Sequence, residues 1–206
     1  MSASRSSNMA FKAGILLLTL FIGSYVGSNR WNSGGTLVAF SRGIIHSSYR
    51  PLPVLKNDIG ILVASANIGL SNAVRVVALN WNFIGANVRT TVNGWGRTTA
   101  GGSISAVLME LHPTTIDGNV CRTEVPRIAA QLGFRNVPAV DPNLEICTFL
   151  AVNRGTCNGD SGSALIRADN GQQIGIVSWG IPCARGAPDM FARVSPYRSW
   201  IEQNTR

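Results

Sequence analysis

Short apolar runs separated by turn-forming residues follow one another along most of the chain. The breaks between them are rich in glycine, asparagine and serine, as at Asn93-Gly94 and Asn170-Gly171. Short strands at regular spacing with such turns between them are typical of a β-sandwich or a β-barrel. The predicted strands lie at 36–40, 59–64, 74–79, 89–92, 162–166 and 174–179.

Two segments have helical patterns instead. A short helix is predicted at 120–132, and a clearer one at the C-terminus, where Ser195 can cap the helix and Pro196 suits its first turn. The apolar face of the C-terminal helix comprises Tyr197, Trp200 and Ile201. The chain is therefore predicted to be all-β with a C-terminal helix, and the segment 80–87 is a candidate boundary between two strand-rich halves.

Residues 1–28 have the layout of a secretory signal peptide. A polar, mildly basic stretch precedes the apolar run 13–23, and Val26-Gly27-Ser28 is a candidate cleavage site. The run is shorter than the about 20 residues of a membrane-spanning helix, so we expect no stable span. The alternatives are a buried strand or helix of the fold and a membrane anchor at 13–27. We predict a signal peptide at 1–28 and a secreted protein.

The net charge of +8 raises the question of nucleic-acid binding. The arginines are scattered singly and form no basic stripe with interleaved aromatic residues, so no nucleic-acid partner is expected. Lys12 and Lys56 are the only lysines in the sequence. Arginine stays protonated above the pH at which lysine titrates, which suits an alkaline fluid such as a gut lumen. A biased genome composition would explain the scarcity of lysine equally well.

The sequence contains four cysteines, Cys121, Cys147, Cys157 and Cys183, which allow three disulfide pairings. It contains no Cys-x-x-Cys pair and no Cys/His cluster, so no metal site is expected. An even number of cysteines behind an export signal favours disulfides and an oxidising compartment.

The segment 155–163, Gly-Thr-Cys-Asn-Gly-Asp-Ser-Gly-Ser, has the features of a nucleophilic serine loop. A serine nucleophile needs an exposed hydroxyl and backbone N–H groups aimed at the developing oxyanion. Glycines beside Ser161 let the backbone approach a substrate without a Cβ in the way. On its own, Gly-Asp-Ser-Gly also suits an ordinary turn, so its meaning depends on the rest of the chain.

Motifs elsewhere in the chain supply that context. They are Asn-Asp-Ile-Gly-Ile-Leu at 57–62, Gly-Trp-Gly at 94–96, Ile-Val-Ser-Trp-Gly at 176–180, and Pro-Asp-Met-Phe-Ala-Arg-Val at 188–194 behind Cys183. Together with the serine loop and the terminal helix they resemble, in order, the chymotrypsin-like family of serine endopeptidases. The resemblance implies two Greek-key antiparallel β-barrels, an incomplete first one at 29–80 and a second one at 86–206.

The catalytic roles of the family fall on matching residues of this sequence. The resemblance implies that Ser161 is the nucleophile, that Asp58 orients a histidine, and that the N–H groups of Gly159 and Ser161 form the oxyanion hole. It also implies a substrate-binding strand at Ser178, Trp179 and Gly180, and the disulfides Cys121–Cys147 and Cys157–Cys183. The implied partners are protein or peptide substrates and protease inhibitors. We expect a monomer, and no cofactor is implied.

The specificity pocket of the family also has counterparts here. Gly155 takes the place of the aspartate that makes trypsins select Arg and Lys, Gly180 leaves the pocket neck open, and Asp189 faces the pocket base from the opposite wall. This combination resembles the broad-specificity, collagenase-like digestive proteases of arthropods. We expect cleavage after large apolar residues with some tolerance for Arg or Lys, unless the Asp189 side chain turns out to solvent.

The catalytic histidine and the activation terminus of the family have no counterparts in this sequence. Ala-Ala-His-Cys and Ile-Val-Gly-Gly are both absent, and the two histidines, His46 and His112, lie outside the catalytic motif. Asp160, which pairs with the new N-terminal amine in the family, would lack its partner. The sequence therefore predicts a serine endopeptidase whose present chain is truncated, by splicing or a gene-model error, and inactive. The alternative is a non-catalytic homologue that binds substrates or inhibitors.

Overall fold

Most of the described chain forms antiparallel β-structure. The computed structural model describes residues 23–181 and 183–205, together with the backbone of Ala10–Phe11. The strands are β1 (Ala10–Phe11), β2 (Ser24–Val26), β3 (Thr36–Val38), β4 (Phe40–Ile45), β5 (Gly60–Ala64), β6 (Thr90–Gly94), β7 (Met109–Leu111), β8 (Thr114–Ile116), β9 (Glu145–Phe149), β10 (Ala164–Arg167), β11 (Gln173–Gly180) and β12 (Asp189–Arg193). The helices are α1 (Gly118–Gln131) and α2 (Arg198–Asn204), and a 3-10 turn, Ser195–Tyr197, precedes α2. The predicted all-β fold with a C-terminal helix is confirmed.

A seven-stranded antiparallel sheet forms the second half of the chain, in the order β7-β6-β10-β11-β12-β9-β8. Its two ends approach each other, because the N–H of Thr90 donates to the carbonyl of Pro113 at 3.0 Å and Arg89 forms an isolated bridge with Thr114. The sheet therefore curls on itself, which protects its edges from pairing with other chains.

Two hydrophobic clusters position the site. The first lies within the curled sheet and includes Phe191 and Leu165, both fully buried. The second packs Tyr197 and Ile201 against Ile59. Because Ile59 belongs to the first half of the chain, this second cluster holds the segment around residue 58 against the seven-stranded sheet.

The first half of the chain has fewer strands. It forms a three-stranded sheet, β1-β5-β4, and a separate pair, β2-β3. In the β1–β5 pair, Ala10 lies opposite Leu62 and Phe11 opposite Ile61. β2 lies within the predicted signal peptide, most of which, at 1–9 and 12–22, is outside the described residues. The division into 1–28, 29–80 and 86–206 stays a prediction.

The strand predicted at 74–79 does not form. Val74 and Leu79 make only isolated bridges, to Ser71 and Gln173, and Val76 is 63% exposed. A strand forms where an apolar run meets a continuous partner, and here only the end of the run reaches β11. The hydrophobic pattern alone therefore overestimated the strand content of this segment.

Both helices begin at positions that differ from the prediction. α1 starts at Gly118, because the Asp117 side chain caps it by accepting bonds from two backbone N–H groups of the first turn. Ser195 makes no capping bond, and α2 begins only after the 3-10 turn. The predicted apolar face is confirmed by the common packing of Tyr197, Trp200 and Ile201.

Within the described part of the chain, no helix combines the length and apolar character that crossing a membrane requires.

Candidate active site

The Ser161 side chain is exposed on the loop that leads into β10. The loop is folded tightly, because the Ser163 N–H donates to the Asp160 carbonyl and the Gly162 N–H donates to the Val177 carbonyl at 2.9 Å. Gly159 has φ +101°, a conformation that residues with a Cβ rarely adopt. Among the described residues, none accepts a hydrogen bond from the N–H of Gly159 or of Ser161. Both groups are therefore available to an oxyanion beside the Ser161 hydroxyl.

Two backbone N–H groups hold the Asp160 carboxylate beneath this loop. Gly96 donates to Oδ1 at 2.8 Å and Cys157 donates to Oδ2 at 3.0 Å. Burial raises the pKa of Asp160, and these two bonds oppose the rise. A Cβ at either Gly94 or Gly96 would collide with the carboxylate. The Gly-Trp-Gly motif is thus explained by the close approach of Asp160.

A cavity of about 270 Å³ opens beside Asp160. Its apolar lining includes Val92, Met109 and Leu111, and its other wall contains the segment from Asn153 to Cys157. Ser161 and Asp189 are not among its lining residues, whereas Gly155 and the Cys157–Cys183 disulfide, which belong to the wall of the predicted pocket, are.

The Asp58 carboxylate is buried directly before β5, with 8% of its surface exposed. Its Oδ2 accepts a 2.6 Å hydrogen bond from the Ser178 hydroxyl. Burial raises the pKa of Asp58, and the bond from Ser178 partly offsets that rise. No histidine among the described residues donates to Asp58.

The two histidines lie elsewhere, in structural positions. His46 packs edge-on against the rings of Tyr197 and Trp200, at 5.1 and 5.0 Å between centroids. His112 is exposed and lies beside Glu110. Among the described residues, neither histidine side chain forms a hydrogen bond with Ser161.

The substrate-binding strand predicted at Ser178, Trp179 and Gly180 is the end of β11. The pairing with β12 shifts register between Val177 and Trp179, so Ser178 is the extra residue of a β-bulge. Bulges redirect side chains, and this one turns Ser178 toward Asp58. Gly180 then pairs directly with Asp189.

Asp189 lies at the base of the predicted pocket and is only 7% exposed. Its Oδ2 accepts a hydrogen bond from the Thr156 N–H at 2.9 Å. A Cβ at Gly155 would lie 2.6 Å from Asp189 Oδ2, whereas one at Gly180 would lie 3.6 Å from Oδ1. The carboxylate thus occupies the space that a side chain at 155 would need, and it does not turn out to solvent. Burial raises the pKa of Asp189 to about 6.

Both disulfides implied by the resemblance are present. Cys121–Cys147 ties α1 to β9 and is fully buried, and Cys157–Cys183 joins the serine loop to the segment before β12. The second disulfide braces the wall of the pocket next to Gly155.

Sequence reasoning missed a buried carboxylate close to this site. Glu145 is 6% exposed and accepts a hydrogen bond from the indole N–H of Trp179 at 2.7 Å. The available signal was a single glutamate inside the apolar run Leu144-Glu145-Ile146. Such a residue usually faces solvent in an edge strand, and only its neighbours in space show otherwise.

A model of a known protein family, described as Trypsin, matches residues 25–201. The matched range includes Asp58, the serine loop, β11 and the Asp189 wall. The chain therefore belongs to the trypsin family.

Individual relatives agree with this assignment. Trypsin alpha-4 of Lucilia cuprina is 31% identical over 176 residues, which are 85% of this chain and 64% of the relative. Chymotrypsin-2 of Vespa crabro is 34% identical over 162 residues, 78% of this chain and 67% of the relative. Trypsin, alkaline B of Manduca sexta is 34% identical over 184 residues, 87% of this chain and 67% of the relative. The chain thus spans 64 to 67% of the length of these relatives.

Proposed function

We propose that this chain carries the nucleophile, oxyanion hole and substrate pocket of a secreted serine endopeptidase. The observation that carries the proposal is the exposed Ser161, whose own N–H and that of Gly159 donate to no acceptor among the described residues. The substrate-binding end of β11 and the carboxylate of Asp189 belong to the same site. A peptide laid along β11 would place its side chain toward Asp189 and its carbonyl carbon beside Ser161.

In the proposed reaction, Ser161 Oγ attacks the carbonyl carbon of the scissile peptide and forms a C–O bond. The former carbonyl oxygen becomes an oxyanion, which accepts hydrogen bonds from the N–H groups of Gly159 and Ser161. A base must accept the hydroxyl proton. In this family the base is a histidine held by an aspartate carboxylate, and Asp58 corresponds to that aspartate. Collapse of the tetrahedral intermediate breaks the C–N bond, and the base gives its proton to the leaving amine. Water then attacks the acyl group left on Ser161, and its proton passes through the base to Ser161 Oγ as the carboxylic acid leaves.

The pocket supports cleavage after large apolar residues with tolerance for Arg or Lys. Gly180 leaves space for a side chain, since a Cβ there would lie 3.6 Å from Asp189 Oδ1, while Asp189 fills the space beside Gly155 and supplies a carboxylate at the base. Relatives named as trypsins and as a chymotrypsin both occur among insects. We therefore propose a digestive, extracellular role, which the two disulfides favour.

The second candidate is a non-catalytic homologue that binds peptide substrates or protease inhibitors. One observation favours it: among the described residues, Asp58 bonds to Ser178 and to no histidine. This candidate uses the same pocket and strand but requires no reaction at Ser161.

A fluorophosphonate probe distinguishes the two candidates. We expect slow labelling confined to Ser161, because the oxyanion hole assists the attack while no base activates the hydroxyl. The adduct is located by peptide mass spectrometry, with Ser161→Ala as the negative control and Ser163→Ala as the matched neighbouring serine. A complete absence of labelling would favour the non-catalytic candidate. Labelling as fast as that of a complete family member would contradict the need for a histidine.

The binding of a cation in the pocket should depend on the protonation of Asp189. We expect benzamidine, an aromatic amidinium, to bind more weakly as the pH falls through about 6, because the proton and the amidinium compete for the carboxylate. Below that pH, the affinity should fall by up to about tenfold per pH unit. Calorimetric titration between pH 4 and pH 8 measures this effect, with the neutral isostere benzamide as the control. A profile that Asp189→Asn leaves unchanged would show that another group binds the cation.

A further inference from the structure

Four residues form a cluster at the end of β11, where Glu145 is buried and its three partners are partly buried. Glu145 of β9 lies at its centre, and three partners donate to its carboxylate. Trp179 donates through its indole N–H at 2.7 Å, Asp141 through its backbone N–H at 2.7 Å, and Lys56 through Nζ at 3.0 and 3.1 Å. We call Lys56, Asp141, Glu145 and Trp179 the Glu145 cluster.

Stability alone does not account for this cluster. A buried ion pair loses about as much by desolvation as it gains from attraction, and apolar side chains of similar size often replace such pairs without loss. The Glu145 side chain is 6% exposed and the Lys56 side chain that pairs with it is 16% exposed, so both charges are largely removed from water. The buried charges therefore point to a role in fixing geometry.

The position of the cluster indicates which geometry is fixed. Lys56 lies two residues before Asp58, and Trp179 directly follows Ser178. The hydrogen bond from Ser178 to Asp58 thus joins the same two segments as the contact of Lys56 and Trp179 with Glu145. The two connections lie side by side between the first half of the chain and β11.

Trp179 has particular need of such a partner. It follows the bulge at Ser178, where the regular ladder between β11 and β12 is interrupted, so the ladder holds its side chain less firmly. Its indole is partly buried and its N–H has one hydrogen-bond partner, Glu145. The Lys56 ammonium lies 6.0 Å from the ring centroid and also donates to the Leu55 carbonyl at 3.2 Å.

We propose that Glu145 and Lys56 are positioning residues that hold the Trp179 indole as a wall for extended peptides and fix the Asp58 segment against β11. This proposal rests on the proposed function, because it assigns the wall to the peptide-binding strand. It implies that the cluster controls the binding of the residues that precede the scissile bond and has little effect on the pocket at Asp189.

Two ligands separate these effects in the intact 206-residue chain. Benzamidine occupies the pocket alone, whereas the product-like tetrapeptide acetyl-Ala-Ala-Pro-Phe also lies along β11. We expect Glu145→Met to weaken tetrapeptide binding about tenfold, as expected for the loss of a hydrogen bond to a charged group, while the Kd of benzamidine changes less than about twofold. Calorimetric titration measures both. Equal tetrapeptide affinity in the variant and the parent chain would overturn the proposal.

Further variants guard against a general loss of structure. Glu145→Gln keeps an acceptor for the indole N–H but removes the charge opposite Lys56, so we expect an intermediate effect. The double variant Lys56→Met, Glu145→Met removes both charges and should fold, yet it should bind the tetrapeptide as weakly as Glu145→Met. The matched control is Glu124→Gln, which removes the same charge from an exposed pair with Arg127 on α1 and should change neither affinity.

The indole N–H signal of Trp179 tests positioning without any ligand. In ¹⁵N-edited NMR spectra, with the signal assigned through Trp179→Phe, we expect a clear shift in Glu145→Met and none in Glu124→Gln. If the parent chain binds neither benzamidine nor the tetrapeptide, the proposed function fails while this signal still decides the positioning role. An unmoved signal in Glu145→Met would overturn the inference even if both ligands bind.

Discussion

Joining residues 29–206 to an N-terminal segment that begins Ile-Val-Gly-Gly and contains Ala-Ala-His-Cys is expected to raise peptide hydrolysis by about four orders of magnitude or more. The reason is that the 206-residue chain already holds Ser161, the oxyanion N–H groups and a buried Asp58, whereas the described residues place no base beside them. A histidine between Asp58 and Ser161 would accept the hydroxyl proton during attack and return it to the leaving amine. The measurement is the initial rate on a peptide anilide with phenylalanine before the scissile bond.

The new N-terminal amine matters as much as the histidine in this experiment. The cavity of about 270 Å³, whose lining includes Arg97 and Arg154 beside apolar side chains, leads to Asp160, whose carboxylate has two backbone donors and no ion pair among the described residues. An ammonium group there would neutralise the buried charge and hold the serine loop in place. An extended chain that has the histidine but begins with a blocked amine should therefore be much less active than the same chain with a free amine.

Three controls make the result specific. Ser161→Ala in the extended chain should abolish hydrolysis, Ser163→Ala should leave it nearly unchanged, and replacing the new histidine with alanine should return the rate to that of the 206-residue chain. If that shorter chain already hydrolysed the anilide as fast as the extended one, the supposed need for a histidine would be wrong. If the extended chain stayed inactive although its Ser161 reacts with a fluorophosphonate, the end of β11 would not bind the peptide in the position that the reaction requires.

The backbone of the serine loop was predictable because it depends on local sequence, whereas the catalytic role of Ser161 and the specificity pocket stay predictions. Ser161 lies between glycines whose backbone conformations only glycine adopts readily, and such constraints are visible in a single motif. Gly155 and Asp189 were assigned to one pocket by resemblance. The structure explains why they occur together, since the Asp189 carboxylate fills the space beside Gly155. In these places the motif and the three-dimensional constraint coincide.

Features that depend on distant partners were not predictable. The run 74–79 has the composition of a strand, but it lacks a continuous neighbour and stays irregular. Glu145 and Arg193 stand in apolar strands, where a charged residue ordinarily indicates a solvent-facing position. Their partners include Lys56, 89 residues from Glu145, and the carbonyls of Ile84 and Pro142, 109 and 51 residues from Arg193, so no local pattern shows that these charges are enclosed.

Arg193→Met is expected to destabilise the fold by about 3–5 kcal/mol, because buried carbonyls lose their charged donor. The guanidinium is 4% exposed and donates to the carbonyls of Ile84 at 2.8 Å and of Pro142 and Glu145 at 3.1 Å. It also lies 4.0 Å from the ring centroid of Phe83. Burial lowers the pKa of Arg193 to about 10, so the side chain stays charged at neutral pH. Methionine fills a similar volume but leaves three carbonyls without their donor, and each lost bond to a charged group costs about 1.5–3 kcal/mol before the structure relaxes.

Urea unfolding, followed by circular dichroism with both disulfides intact, measures this loss as a lower midpoint. The urea midpoint of Arg193→Lys should lie between those of the parent chain and Arg193→Met, because an ammonium keeps the charge but lacks the planar fork that reaches three carbonyls at once. Arg127→Met is the matched control, since Arg127 pairs with Glu124 on the exposed face of α1 and its removal should cost less than about 1 kcal/mol. If Arg193→Met and Arg127→Met shifted the midpoint equally, the three carbonyls would have to find other donors, and the junction between Ile84, Pro142 and β9 would not depend on the buried guanidinium. A large loss in Arg193→Met alone would instead show that one buried cation holds together segments that no hydrophobic pattern in the sequence connects.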